Sequence, residues 1–237
     1  MSGGTAAAPV ALVTGASRGI GRAVAVALAR RGTYVVLTAR SIGGLEETDD
    51  MVQAAGGRAS LLPLDLMEGA EIDMLGPTLH TRFGRLDGMV HAAAVLGTLT
   101  PVGHITPKDW TEAVAVNLSA TWRLVRTLDP LLRAAEAGRA AVLTDGRAQE
   151  PRAYWGTYGA TKAASEHLVR TWAEESRNTS LRINLFDPGP VRSRLRATAM
   201  PGEDPATLTR PEDVAEAIAD LLEPAEDRVG TTIRHIP

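Results

Sequence analysis

The chain has 237 residues, 44% of them hydrophobic but only 4% aromatic, so a core of Ala, Val and Leu is expected. Its 25 basic and 28 acidic residues leave a net charge of −3, which gives no electrostatic case for a nucleic-acid binder or a membrane-surface protein. With no cysteine there are no disulfides and no thiol chemistry, which suits a cytoplasmic protein. Met1 to Ala8 lacks the basic and long apolar segments of a signal peptide, and no apolar run approaches a membrane span. The length fits one large α/β domain covering residues 1–237.

In chain order, Val10 to Thr14 is an apolar run short enough for one buried strand, and it ends abruptly in Gly15-Ala16-Ser17-Arg18-Gly19-Ile20-Gly21. Ile20, Val24, Ala27 and Leu28 then recur at helical spacing up to a stop at Gly32. A β-branched strand follows at Thr33 to Thr38, then a helix from Ile42 to Ala55 and a third strand from Ala59 to Leu64 that delivers Asp65. A polar helical segment is expected to break near Gly76-Pro77. Leu86 to Ala94 is a fourth strand carrying His91. Thr106-Pro107 has the form of an N-cap with proline in the first turn, opening a helix that carries Asn117 and reaches Leu128. Beyond it come a strand at Ala140 to Thr144, a helix at Trp155 to Glu175, and a strand at Leu181 to Phe186. An aperiodic loop at about 188–210, a helix from Pro211 to Leu222 and a last strand at Thr231 to His235 complete the chain. Strands alternating with helices predict a doubly wound, Rossmann-like parallel sheet with helices on both faces. Ligands in such sheets lie at the carboxyl ends of the strands, where the strand order reverses.

Strand, glycine turn and helix together aim backbone N–H groups and a helix dipole at a phosphate. Gly15 would allow the tight turn, Gly19 a close approach by a pyrophosphate, and Gly21 close packing of helix on strand. The spacing Gly-x-x-x-Gly-x-Gly, with Thr14 ahead of it, resembles the cofactor motif of the short-chain dehydrogenase/reductase family. The resemblance spans nearly the whole chain. Tyr158-Gly159-Ala160-Thr161-Lys162 matches that family's Tyr-x-x-x-Lys signature, and Asp187-Pro188-Gly189-Pro190-Val191-Arg192-Ser193 is similar to its Asn-Pro-Gly-x-Val-x-Thr segment. Asn117 lies where the family has an active-site asparagine, Asp65-Leu66 where it places an acidic residue near the adenine, and Pro211-Glu212-Asp213-Val214-Ala215 at its late helix start. The resemblance implies that Gly15, Ser17, Arg18, Gly19, Ile20, Gly21, Arg40, Asp65, Leu66, Ala92 and Lys162 hold a nicotinamide dinucleotide, together with Pro188, Gly189, Val191 and Ser193.

Residues four apart on a helix share a face, so Tyr158 and Lys162 can point at one ligand. A free tyrosine has a pKa of about 10, and a neighbouring ammonium is expected to lower it. By resemblance, Tyr158 exchanges the proton with the substrate oxygen, Lys162 grips the nicotinamide ribose, and Asn117 holds a water in the proton path. Arg40 ends the second strand where an acidic residue would select NAD, and Arg18 sits in the glycine loop. Two guanidiniums suit a 2′-phosphate, so NADP(H) is expected over NAD(H).

Two departures from the family pattern stand out. Its Asn-Asn-Ala-Gly reads His91-Ala92-Ala93-Ala94, which removes an asparagine that braces the sheet and adds a methyl near the cofactor. Its serine thirteen residues before the tyrosine is Asp145, flanked by Thr144 and Gly146. Thr144 could supply the missing hydroxyl only if the strand end shifts by one residue. An ionised Asp145 would oppose an alkoxide, whereas a protonated one could donate the hydrogen bond.

Two functional readings remain. The first is an NADP(H)-dependent oxidoreductase moving hydride between nicotinamide and a carbonyl or secondary alcohol, with Tyr158, Lys162, Asn117, Asp145 and Thr144 at the reaction centre. The second is a dinucleotide-binding sensor or scaffold with little or no turnover, kept open by Asp145. Arg192, Arg194 and Arg196 lie in the loop that, by resemblance, folds over the substrate. His91, His104 and His167 have no metal-ligand spacing, so no metal is assigned. By family habit a homodimer or homotetramer is expected.

Overall fold

The computed structural model describes residues 8–235, so Met1 to Ala7 and the last two residues of the proposed 1–237 domain lie outside it. Seven parallel strands form one sheet in the order β3-β2-β1-β4-β5-β6-β7. They are β1 (Val10–Thr14), β2 (Tyr34–Ala39), β3 (Arg58–Pro63), β4 (Gly88–His91), β5 (Arg139–Leu143), β6 (Arg182–Asp187) and β7 (Thr232–Arg234). The order runs outward from β1 in both directions, so the reversal falls between β1 and β4.

Side chains alternate across each strand, and β1 shows the consequence. Val10 and Leu12 enter one buried cluster, Ala11 and Val13 the other. The first cluster is closed by α3 (Gly69–Asp73), α4 (Leu75–Phe83), α6 (Ala120–Ala134) and α7 (Gly156–Ser176). The second is closed by α1 (Gly19–Arg30), α2 (Ile42–Ala54) and α9 (Pro211–Asp220). α5 (Pro107–Ala113) leads through a π-helical turn at Val114–Ser119 into α6, and α8 (Arg194–Ala199) lies in the loop after β6. This is the Rossmann-like, doubly wound sheet with two covered faces that the alternating elements predict.

Three boundaries differ from expectation for physical reasons. The helical segment breaks at Met74, not at Gly76-Pro77; those two residues sit in the first turn of α4, where a missing proline N–H costs nothing. Gly76 is required there by packing, because a Cβ would run into the Thr127 carbonyl of α6. β4 stops at His91 and not Ala94, since Ala92 and Ala93 turn their N–H groups onto Thr14 Oγ1, 3.2 Å away in each case. The helix expected to end at Leu128 runs on to Ala134, through Pro130, burying Leu131 and Leu132.

Candidate active site

Where the strand order reverses, the carboxyl ends of the strands surround a cavity of about 640 Å³. Every residue expected to hold the dinucleotide lines it, as do Tyr158, Thr144 and Asp145. Asn117 is not among the lining residues.

The cofactor wall is built from backbone. Gly15 (φ +68°) and Gly19 (φ +54°) adopt left-handed conformations that other residues reach only with strain. A side chain at Gly21 would strike the Gly15 carbonyl, so helix and turn touch backbone to backbone. Nothing lies within 4 Å of a Cβ built on Gly19, so this surface is bare. α1 has no side-chain cap, whereas Ser41, Thr106 and Ser193 cap α2, α5 and α8. Its first N–H groups are therefore available to an anion. Arg18 and Arg40 are exposed on the cavity and form no ion pair among the described residues, while nearby Arg22 is tied to Glu47 at 2.6 Å. Bare glycines, an uncapped helix and two unpaired guanidiniums fit a dinucleotide phosphate.

The opposite wall is a network of side chains. Tyr158 and Lys162 lie on one face of α7, only 5% and 6% exposed. Lys162 Nζ donates to the Leu143 carbonyl at the end of β5 (2.5 Å). Burial pushes the Lys162 ammonium down to about 8, although Asp145, Glu166 and Asp187 pull the other way. The expected lowering of the Tyr158 pKa is not found. Burial, then the charges of Asp145 and Asp187, push the phenol upward, so Tyr158 holds its proton more firmly than a free tyrosine.

Asn117 sits in the π-helical turn, and its side chain is spent on protein groups. It accepts from the Val95 N–H (2.8 Å) and donates to the Val95 carbonyl (2.9 Å) and Thr161 Oγ1 (3.0 Å). With both amide protons committed, the side chain cannot donate to the relay water expected of it; instead it pins the segment after β4 to α7. Thr144 is corrected as well. Its hydroxyl donates to Glu166 Oε2 (3.0 Å), and β5 ends one residue before it, at Leu143. Asp145 caps the short 3-10 turn Gly146–Ala148, with Oδ1 accepting from the Arg147 N–H (2.8 Å) and the Arg147 guanidinium 4.0 Å away.

Two residues of the network carry no assigned role in the sequence. Glu166 is buried one turn beyond Lys162 and accepts from Thr144, Gln149 and Arg170. Burial alone would raise its pKa, but those hydrogen bonds prevail and hold it below the usual carboxylate range. Helical spacing from Lys162 is the available signal. His91 is 3% exposed and supplies bracing across the strand ends. Thr14 Oγ1 accepts from Ala92 and Ala93, so its own proton goes to His91 Nδ1 (2.7 Å). His91 Nε2 then donates to Thr121 Oγ1 (3.1 Å), which donates to the Asn117 carbonyl (3.0 Å). Burial, aided by the Lys162 charge, drops the imidazole pKa to about 3, consistent with this neutral tautomer. The chain of bonds runs from the end of β1 to the π-helical turn.

The loop after β6 forms the rim. Ser193 caps α8 through the Arg196 N–H (3.1 Å), and Arg196 is held by Glu203 through two bonds of 2.6 Å. Arg192 and Arg194 are exposed. Trp155 closes the inner side, its ring 5.9 Å from that of Tyr158 and edge-on.

Residues 9–204 match the sequence profile of the short chain dehydrogenases. YciK, an oxidoreductase of Escherichia coli K12, is 35% identical over 208 residues, covering 86% of this chain and 82% of its own. The chain belongs to the short-chain dehydrogenase family. A short-chain dehydrogenase from Shigella flexneri solved with NADP superimposes with a TM-score of 0.91 at 32% identity, covering 95% of this chain and 96% of that one. Another from Escherichia coli CFT073, solved with NADPH, gives 0.91 at 33% identity and 95% coverage of each chain. This short-chain dehydrogenase carries two carboxylates, Asp145 and Asp187, at the rim of the Tyr158–Lys162 site. Both carboxylates act electrostatically on Tyr158 and Lys162. Among the described residues no helix is long and apolar enough to cross a membrane.

Proposed function

We propose that this protein is an NADP(H)-dependent oxidoreductase that moves hydride between nicotinamide and a carbonyl or secondary-alcohol carbon of a small molecule. The observation that carries this reading is the placement of Tyr158 and Lys162, buried one helical turn apart, on the cavity that the glycine turn opens. Similar structures solved with NADP and NADPH support the cofactor assignment.

Arg18 and Arg40 would hold the 2′-phosphate from two sides, and the N-terminus of α1 would face the pyrophosphate. Asp65 and Leu66 would border the adenine, and Pro188, Gly189, Val191 and Ser193 would border the nicotinamide end. When bound, the cofactor supplies or accepts the hydride. Tyr158 donates its proton to the substrate oxygen as that oxygen gains charge. Its raised pKa keeps it protonated at neutral pH, the form that reduction needs. Lys162, fixed by Leu143, brings a positive charge beside the tyrosinate that remains. Asn117 keeps the Val95 segment and α7 in register, and residues 188–210 form the cover over the substrate.

The reading extends to one domain over residues 1–237 and to a cytoplasmic homodimer or homotetramer. Trp110 and Trp122, both 46% exposed on α5 and α6, are apolar surface for such a contact. Fluorescence titration with NADPH and NADH, followed by NADPH oxidation over a panel of aldehydes, ketones and quinones, tests the proposal. Tight NADPH binding with turnover on one class is expected. NADPH binding without turnover would favour the sensor reading that Asp145 keeps open.

A further inference from the structure

The cavity offers two kinds of polar group to a substrate. The Tyr158 hydroxyl has no hydrogen-bond partner among the described residues, although the residue is only 5% exposed and lines the cavity. It is the donor. Asp145 lines the same cavity; Oδ1 accepts from the Arg147 N–H, and Oδ2 has no hydrogen bond among the described residues. It is the acceptor. Nearby, Thr144 gives its hydroxyl proton to Glu166 and Lys162 gives one N–H to Leu143, while Ser193 accepts from the Arg196 N–H. Three of the surrounding arginines face carboxylates: Arg196 with Glu203, Arg234 with Asp187 at 3.6 Å, and Arg147 with Glu150 at 3.7 Å and Asp145 at 4.0 Å; Arg192 and Arg194 line the cavity with no ion pair among the described residues.

A simple ketone satisfies Tyr158 but presents only lone pairs to Asp145, and a carboxylate facing a carbonyl oxygen is repelled by it. A group that offers Asp145 a donor must carry its own N–H at the reacting bond, and it can accept from Tyr158 once reduction places a lone pair on its nitrogen. Resting on the NADP(H) oxidoreductase reading, we propose that the preferred substrate is a C=N compound protonated on nitrogen, with its N–H donated to Asp145. Reduction is then balanced without a proton from the protein. The iminium carbon takes hydride from NADPH and forms a new C–H bond, while the π pair of the C=N bond moves to nitrogen. Nitrogen keeps its proton, so the cation and the hydride together give a neutral amine, and the cofactor leaves as NADP⁺. Tyr158 donates a hydrogen bond to the new lone pair and need not ionise, in keeping with the upward push on its pKa.

The test compares a cyclic imine with the cyclic ketone of the same skeleton, in the wild-type protein and in Asp145→Asn and Asp145→Ser. Asparagine keeps an oxygen able to cap Gly146–Ala148, and NADPH titration of each variant checks for an intact cofactor wall. A charge-assisted hydrogen bond is worth about tenfold to a hundredfold. The wild-type kcat/KM should favour the imine by at least about tenfold, and both variants should lose that preference. Asp145→Ser, with a neutral hydroxyl, should raise ketone reduction by about tenfold to a thousandfold. A readout independent of turnover is calorimetric binding of the ammonium product to the NADP⁺ complex. It should weaken about tenfold or more in Asp145→Asn, while the uncharged carbon isostere binds both proteins equally. Failure of NADPH to bind the wild-type protein would overturn the oxidoreductase reading and this inference together. NADPH binding with ketone reduced as well as imine, and a ratio unmoved by Asp145→Asn, would overturn this inference alone.

Discussion

The two walls of the cleft are made of different material. From Thr14 to Arg40 the working surface is backbone: two left-handed glycines, a third that permits contact between turn and helix, and an uncapped helix end. The charged side chains it brings to the cavity, Arg18 and Arg40, are exposed and unpaired among the described residues. Opposite them, Lys162, Thr144 and Asn117 are each bonded to a residue 19, 22 and 44 positions away respectively, and buried while so bonded. A backbone cradle can serve any dinucleotide with few side-chain decisions. A side-chain network sets the polarity at one reacting atom, and in this chain that network faces the carboxylates of Asp145 and Asp187.

If the division is right, lesions on one wall should spare the function of the other. The largest effect is expected from Tyr158→Phe, which removes the free hydroxyl and leaves the backbone cradle alone. Ketone turnover should fall by at least about 100-fold, the usual scale of general acid catalysis, with the NADPH dissociation constant changed less than about twofold. Near-normal ketone turnover in this variant would place the proton donor elsewhere.

Gly21→Ala attacks the other wall. Its methyl would meet the Gly15 carbonyl, which cannot yield without moving the turn. Overpacking of this kind costs about 1–3 kcal/mol, to be read as a lower unfolding midpoint and weaker binding of both NADPH and NADH. Normal affinity for both cofactors would show that the turn is not held as tightly as its packing implies.

Arg40→Ala is a milder lesion on the same wall. NADPH should bind about tenfold more weakly while NADH is unaffected, since only the 2′-phosphate contact is lost. Titration of the variant with both cofactors reads this directly; an unchanged preference for NADPH would remove Arg40 from the account.

The smallest effect concerns Lys162 in the cofactor-free protein. Its folded pKa, about 8, lies below the ordinary lysine value of about 10.4, so between these values the unfolded chain binds more protons. Stability should therefore rise with pH across that window, and denaturant midpoints from about pH 7.5 to 10.5 should show a slope that Lys162→Met lacks. Equal slopes in the two proteins would contradict the burial cost assigned to this ammonium.

The same contrast explains what the sequence makes legible. The strands, their parallel order and the glycine turn are local patterns: an apolar run, a positive-φ glycine and a 3.6-residue period leave their mark within about a dozen residues. Tyr158 and Lys162 are visible for the same reason, being one turn apart. The bonds that decide what side chains do are nonlocal. Nothing within a few residues of Thr144 shows that Glu166 takes its hydroxyl, and nothing near Asn117 shows that Val95 and Thr161 use both its amide protons. His91 carries no metal-binding pattern, yet burial between Thr14 and Thr121 makes it a neutral strut. Sequence points the Tyr158 pKa the wrong way because Lys162 is its near neighbour along the chain, while the burial and the two carboxylates that outweigh it belong to the fold.

The central claim, that the buried Tyr158–Lys162 pair and the glycine cradle serve one hydride transfer, can be tested with NADPH deuterated at C4 of the nicotinamide. Purified protein is incubated with this cofactor and the best substrate found by the panel, and the product is analysed by mass spectrometry and NMR. One deuterium on the former C=N or C=O carbon, with one NADPH consumed per product, is the predicted result. Saturable NADPH binding with no deuterium transferred to any imine, aldehyde or ketone and no NADPH consumed with any quinone would contradict it.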